Sequence, residues 1–312
     1  EVERRIAEAS PEFRLRPGVI EAVSGVRTRR VADPAVQCSD LAAEAARRAL
    51  DEAELRARDV GALIFASASQ DLLEPATAHV VQAKLGTRAP VMDVKNACNS
   101  FLNGVQVGEA LVATGACRAA LVVTGEVPSR LTDYAVRDAA DFRRRFAGFT
   151  MGDAGAAAVL VRSGDGRGIY HRRFAAWSEH WALATVPCCG SMQPARRAPL
   201  QADGAALRDA FLRHGPALLR ASLCEAGARM DDFARVLVHQ ATLPYLDDMC
   251  AGAGVPRDRV EVTADALGNM ASASLPVAFA RARARGALVP GDRALWIGLA
   301  SGIGAGILMA DV

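Results

Sequence analysis

The sequence predicts an α/β fold built twice over, with each half a largely buried sheet flanked by helices. Three observations carry this reading. Apolar runs of strand length, Gly61–Ser69, Ala119–Thr124 and Ala154–Val161, alternate with stretches of helical spacing. The same order of elements recurs after residue 220. A gap-free shift that carries Leu50 onto Leu223 also lays Glu52, Ala53 and Asp59 on Glu225, Ala226 and Asp232. Under that shift the strand Leu63-Ile-Phe65 falls on Val236-Leu-Val238. The halves are residues 1–162 and 163–312.

The 312 residues are 51% hydrophobic and 23% charged, an ordinary globular composition with ample chain for a large core. No apolar run approaches the roughly 20 residues of a membrane helix, so no membrane span is expected. A net charge of +2 argues against bulk nucleic-acid binding. The 7 cysteines are scattered, and no CxxC pair or Cys/His cluster has ligand spacing. No metal is expected, and a reducing, cytoplasmic setting fits. The chain starts at Glu1 in a charged, helix-like stretch, so an upstream segment is expected.

In order, residues 1 to 30 are charged and punctuated by proline. Ser39-Asp40 caps a helix to about Leu55, with Leu41, Ala45, Ala49 and Leu50 on one face. The strand Ala62–Ala66 leads to a polar loop ending in Glu74-Pro75. Pro75 is expected at the first position of a helix running from Ala76 to Leu85. Val91–Val94 reads as a short strand, followed by the corner Lys95-Asn96-Ala97 and then Cys98. From Asn99 the apolar residues Phe101, Leu102, Val105, Leu111 and Val112 recur at helical spacing, with Asn99 or Ser100 as cap. Ala119–Thr124 is a strand, 128 to 147 a charged excursion, and Ala154–Val161 another strand. In the second half a strand at Val260–Val262 precedes Gly268-Asn269 and a helix from about Ala271 to Arg285. Arg293–Leu299 answers Ala119–Thr124, and Gly302-Ile-Gly-Ala-Gly-Ile-Leu308 answers Asp153–Val161.

Cys98 therefore stands where a strand ends and a helix begins. Unpaired backbone N–H groups at such a corner favour a thiolate and can hold an oxyanion; the plain alternative is an inert core cysteine. A pseudo-twofold relation between the halves would bring Asn269 to face Cys98, and His239, at the end of its strand, would join them. Alone, His239 reads first as a bonded core histidine, and Gly268-Asn269 as turn chemistry. His171 and His214 read as surface residues. A Cys–His–Asn set can activate a thiolate, hold a tetrahedral oxyanion and donate hydrogen bonds to a second carbonyl. The tail Ser301-Gly-Ile-Gly-Ala-Gly306 lacks the dinucleotide spacing and suits close backbone approach to a reacting carbonyl, or a packing turn.

Asp93-Val-x-x-Ala97-Cys98-x-x-Phe101, Gly152-Asp153-Ala-Gly155, Val238-His239-Gln240-Ala241 and Gly268-Asn269-x-x-x-Ala273-Ser274 resemble the ketoacyl synthase III branch of the thiolase superfamily. The resemblance runs from about Gly18 to the end. It implies a duplicated five-layered α-β-α-β-α thiolase fold, a homodimer, and an acyltransferase that condenses thioesters. Acyl-CoA or acyl carrier protein would load Cys98, with no cofactor beyond these thioesters. His239 and Asn269 would polarise the second thioester carbonyl, and the N–H groups of Cys98 and Gly302 would form the oxyanion hole. Most members begin with a strand ahead of the residues seen here.

Three departures matter. Val19 and Val23 stand near where fatty-acid-initiating members carry a Trp and an Arg that grip CoA. The usual His-Gln-Ala-Asn run is His239-Gln-Ala-Thr242. Asp71-x-Leu-Glu74-Pro75-x-Thr77-Ala78 resembles the loop of OleA-type enzymes, which join two acyl-CoAs. There the glutamate reaches across the dimer as a base, so Glu74 could do the same; otherwise it is a carboxylate in a helix first turn. Decarboxylating a malonyl group needs no base, whereas joining two acyl thioesters does. The arginines at 143 to 145, 196 to 197 and 281 to 285 could receive a carrier protein or CoA phosphates, or form solvated faces. Two other readings are an acyltransferase passing the Cys98 acyl group to a non-carbon nucleophile, and a non-catalytic partner subunit of another ketosynthase. A papain-like protease shares the Cys, His, Asn order, but Asn96-Ala-Cys98-Asn-Ser-Phe does not fit its context.

Overall fold

A computed structural model describes residues 1–164, 166–192 and 198–312. The first half comprises α1 (Val2–Ala9), α2 (Val19–Ser24), α3 (Cys38–Glu52), β1 (Ala62–Ala66), α4 (Thr77–Leu85) and β2 (Val91–Val94). It continues with α5 (Ser100–Ala113), β3 (Ala119–Glu126), α6 (Ala139–Arg145) and β4 (Ala154–Val161). The second half comprises β5 (Ile169–Ala176), β6 (Ala184–Thr185), β7 (Gln201–Ala202), α7 (Gly204–Glu225), β8 (Arg235–Val238) and α8 (Leu243–Ala253). It ends with α9 (Ala264–Leu267), α10 (Ser274–Ala284), β9 (Arg293–Ala300) and β10 (Gly304–Asp311).

Two sheets of the same plan form the frame. The first has the order β2-β1-β3-β4, with β1 parallel to both neighbours and β4 antiparallel to β3. The second has the order β5-β10-β9-β8, with β8 parallel to β9 and β10 antiparallel to β9. β8, β9 and β10 thus repeat β1, β3 and β4. Where β2 would recur, the expected strand at 260–262 shrinks to one parallel bridge, Val236 to Val260.

The layers follow from which faces are apolar. α3 and α4 cover the outer face of the first sheet through Ala42, Ala46 and Val81 against Leu63, Phe65 and Leu121. α7 and α8 cover the outer face of the second through Phe211, Leu219 and Leu246 against Val236 and Ile307. Between the sheets lie α5 and α10, whose Phe101, Leu102, Val105, Leu275 and Ala278 share one core with Ile64, Val122, Leu237 and Leu308. Burying each of the large side chains contributes about 1.5–3 kcal/mol. The result is α-β-α-β-α, with the ends of α5 and α10 brought to the centre.

Local capping differs from expectation at two helices. α3 begins at Cys38, and Gln37 with Asp40 forms its capping box. α4 begins at Thr77, so Pro75 lies outside it. The N–H groups of Thr77 and Ala78 instead donate to the Asp93 carboxylate of β2, both at 2.8 Å. An acceptor reaching in from the neighbouring strand sets that helix end.

Candidate active site

Cys98 sits at the corner between β2 and α5. Ser100 locks the corner: its Oγ accepts from Asn96 N at 2.8 Å and donates to Ala97 O at 2.7 Å. Ala97, one residue before the thiol, has φ 46°. A left-handed conformation costs a non-glycine residue about 1–2 kcal/mol, strain typical of a functional corner. α5 packs against the 3-10 turn Ala271–Ala273 that follows Asn269. Ala271 is left-handed as well, with φ 48°.

Asn269 is held by the first half of the chain. Its N–H donates to Thr150 O at 2.9 Å and its carbonyl accepts from Gly152 N at 3.0 Å. Its side-chain Oδ1 accepts from Ala271 N at 3.0 Å, which fixes the amide orientation. The two segments cross too closely for side chains. A Cβ on Gly152 would lie 2.0 Å from Leu267 O, and one on Gly268 2.4 Å from Thr150 O. The Gly152-Asp153 and Gly268-Asn269 motifs are therefore one interlocked crossing.

His239 directly follows β8, is buried, and donates its backbone N–H to Ile297 O at 2.9 Å. Next to Ile297, Gly298 lies beneath the Asn99 side chain, where a Cβ would meet Asn99 Oδ1 at 2.1 Å. The Cys98 corner and the backbone of His239 thus meet neighbouring residues of β9. Gly302, with φ 124°, lies in the β9–β10 turn, and a Cβ on Gly304 would come within 3.9 Å of the Asn96 and Asn99 amide nitrogens. The tail turn thus approaches the same corner.

Burial pushes the Cys98 thiol up to about 12, and the Glu126 carboxylate adds to the rise. The thiolate expected from the helix end is therefore not the resting form; desolvation and a nearby anion outweigh the backbone N–H groups. Burial likewise pushes His239 down to about 4. The pair rests as neutral thiol and neutral imidazole, so the proton leaves sulfur only as a substrate develops charge.

Two models, each named for 3-oxoacyl-(acyl-carrier-protein) synthase III, match residues 92–176 and, for its C-terminal part, 223–311. A β-ketoacyl-(acyl-carrier-protein) synthase III of Streptomyces coelicolor is 34% identical over 302 residues, covering 91% of this chain and 85% of that one. The chain belongs to the synthase III family. A synthase III of Desulfitobacterium hafniense is 31% identical over 289 residues, covering 90% of this chain and 85% of the relative. Crystal structures of Xanthomonas campestris OleA superpose with a TM-score of 0.90 at 26% identity, covering 100% of this chain and 92% of OleA. The frame is the thiolase fold, and the chain is an acyl-transferring condensing enzyme of the synthase III type.

Within this synthase III scaffold, several sequence readings change. Glu74 is exposed and lies ahead of the Ala76 cap, so it is not a first-turn carboxylate of α4. Nor does it act on Cys98 within one chain; Glu126 is the carboxylate that does. Thr242, where the family has Asn, caps α8 by accepting from Tyr245 N at 3.3 Å. Gln240 spans from β8 to the segment before α9, donating to Glu261 O at 2.6 Å and accepting from Thr263 N at 2.9 Å. Val23 is exposed on α2. His214 is half-buried in α7 and stacks on Trp177, and His171 is also half-buried, so neither is a plain surface residue. Of the arginines, Arg144 and Arg145 bind Asp141, Arg283 binds Glu52 and Arg285 binds Glu261. Arg196 and Arg197 lie outside the described residues.

Glu126 went unread in the sequence because it looks like the polar end of an apolar strand. In the fold it is fully buried. Its carboxylate accepts from Ala68 N at 2.7 Å, Ser69 N at 3.0 Å, Ser69 Oγ at 2.7 Å and Ser272 N at 3.3 Å, as well as from Ser272 Oγ. It thereby ties the loop after β1 to the turn after Asn269. Asn99, buried with neither amide atom partnered among the described residues, and Tyr245, whose hydroxyl is pushed up by burial and further by the neighbouring Cys98, were also missed. A small apolar cavity of about 30 Å³ lies behind Val238 and Ile297.

Two outcomes follow from these charges. Glu126→Gln is expected to lose about 1–3 kcal/mol of stability, since an amide cannot accept from every donor around it. It should also lower the Cys98 thiol pKa, moving the pH profile of iodoacetamide labelling to lower pH; an unchanged profile would remove Glu126 from the site. For His239 the folded pKa is depressed, so between about pH 6.5 and 4 the unfolded chain binds the extra proton. Stability falls as pH drops through that window, by about 3 kcal/mol in total for this one group. Denaturant titrations of His239→Asn should show a flatter pH dependence over the same range.

Proposed function

We propose that Cys98 takes an acyl group from a CoA or carrier-protein thioester and that the enzyme then joins it to a second acyl thioester without decarboxylation. The observation that carries condensation at Cys98 is the joining of its corner to the Asn269 turn, with α5 against residues 271 to 273 and Glu126 bound to Ser272. Cys98 Sγ attacks the thioester carbonyl as its proton passes to His239, and the carrier thiol leaves with that proton. The N–H groups of Cys98 and Gly302 receive the oxyanion. Asn269 and His239 then donate to the carbonyl oxygen of the second thioester. Glu74 of a second copy of the chain removes its α-proton, the carbanion attacks the Cys98 thioester, and the thiolate leaves.

Three facts support this role for Glu74. Solved OleA variants carry substitutions at one glutamate, one cysteine and one histidine, in that chain order, as Glu74, Cys98 and His239 stand here. One OleA variant was solved with lauric acid and lauroyl-CoA bound. The loop is pinned at both ends, by Glu126 on Ala68 and Ser69 and by Thr77 Oγ1 accepting from Asp71 N at 3.2 Å, while Leu72, Leu73 and Glu74 project into solvent. Two exposed leucines beside a carboxylate fit burial in a homodimer. A cytoplasmic setting fits the scattered cysteines, and no helix among the described residues is long and apolar enough to cross a membrane.

The test is product analysis with acyl-CoA alone and with acyl-CoA plus a malonyl carrier. The expected product of acyl-CoA alone is a β-keto compound that keeps every carbon of both chains. Product formed only with the malonyl carrier, with release of CO2, would overturn the non-decarboxylative reading.

A further inference from the structure

We infer that Glu179, His180 and His214 form a binding site for one divalent transition-metal ion, Zn2+ in the first instance. The sequence separates the residues: Glu179 and His180 lie on the 3-10 turn Ser178–Leu183, and His214 lies in the middle of α7. The fold brings one ligand atom from each to within 4.8 Å of the others. Glu179 Oε1 and His180 Nε2 are 3.9 Å apart, and the two imidazole rings are 6.0 Å apart between centroids.

Two imidazoles and a carboxylate make an N2O donor set that suits Zn2+, with a fourth position left for water. Tetrahedral zinc with bonds near 2.0–2.1 Å needs donor atoms roughly 3.4 Å apart. With the three ligand atoms within 4.8 Å of one another, the donors close by about 1.4 Å or less to reach that spacing. A second observation points the same way. His214 Nε2 is shielded from solvent and has no hydrogen-bond partner among the described residues, and such an orphaned nitrogen calls for a ligand. The ring itself is fixed, stacked on Trp177 with centroids 4.6 Å apart and planes 16° from parallel. A ligand imidazole held in one orientation loses little entropy on binding metal.

The position gives the site a consequence. Trp177 N donates to Ile303 O at 2.9 Å, and Ile303 N donates to Trp177 O at 3.4 Å. One side of Trp177 therefore carries His214, and its backbone carries the β9–β10 turn with Gly302. A metal ion that fixes His214 and the 178–183 turn would stiffen the backbone beside that turn. This coupling rests on the role proposed for Gly302, whereas metal binding itself does not.

The test uses purified full chain loaded with Zn2+ and desalted, with metal content measured by mass spectrometry, and Co2+ as a spectroscopic probe. Wild type should retain about one Zn2+ per chain, show visible d–d bands with Co2+, and melt at a higher temperature with metal than without. His180→Gln and His214→Gln should lose the ion and the bands, and Glu179→Gln should weaken binding roughly tenfold or more. Far-UV circular dichroism of the metal-free variants checks folding, and if a histidine variant misfolds, the exposed Glu179→Gln decides. A wild type that retains no Zn2+ overturns the inference. So does a folded histidine variant that retains as much as wild type, or a Glu179→Gln chain that binds as tightly. Condensation activity plays no part in the readout, so failure here leaves the Cys98 reading untouched.

Discussion

Incubated with acyl-CoA, the wild-type chain is expected to gain one acyl mass, and Cys98→Ala to gain none. Cys98 is the cysteine seated at a strand–helix corner with a left-handed residue before it and the Asn269 turn beside it. Cys38 and Cys250 are more deeply buried, but Cys38 Sγ is bound to Asp71 at 2.9 Å and Cys250 lies in the α7–α8 core. Loss of the nucleophile should lower condensation on the order of a thousandfold or more, because the carbonyl then has no sulfur to receive it. The substitution removes one sulfur from a half-buried site, so stability should change little against that loss. Intact-protein mass spectrometry across acyl chain lengths reads the result directly. A wild type left unmodified by every chain length and carrier would sink the enzyme mechanism proposed above.

Glu74→Ala is expected to leave acylation of Cys98 intact and to abolish joining of two acyl-CoAs. The two steps separate because the first needs only the thiol, His239 and the backbone donors, whereas the second must remove a weakly acidic α-proton. Glu74 is exposed in one chain, with Leu72 and Leu73 beside it. Its replacement should therefore leave the fold unchanged, and any fall in rate reports on chemistry or on the dimer. Mixing Glu74→Ala with Cys98→Ala distinguishes these. If the carboxylate acts across the dimer, mixed dimers pair one intact Glu74 with the intact Cys98 of the other chain and recover part of the activity. Unchanged joining of two acyl-CoAs by Glu74→Ala would remove the residue from the mechanism.

Two of the readings that changed share one physical cause. Cys98 as a resting thiolate and Glu74 as a first-turn carboxylate were both argued from local backbone position, where helix ends favour negative charge. The fold sets desolvation and Glu126 against the first, and starts α4 at Thr77 against the second. Local geometry was legible; the field of distant residues was not.

Periodicity and repetition in the chain were enough to fix an α/β fold made of two like halves, because strand and helix spacing is local and duplication preserves element order. Four short motifs in order pointed to Cys98, His239 and Asn269. Only the tertiary structure decided how those residues are held and charged. Glu126 meets Ser272, Gly152 meets Gly268, and His180 meets His214 across large separations in sequence. Such contacts arise from packing two sheets around α5 and α10, and no spacing rule along the chain encodes them. Protonation follows the same logic, since burial pushes the thiol up and the imidazole down only once the layers have closed around them.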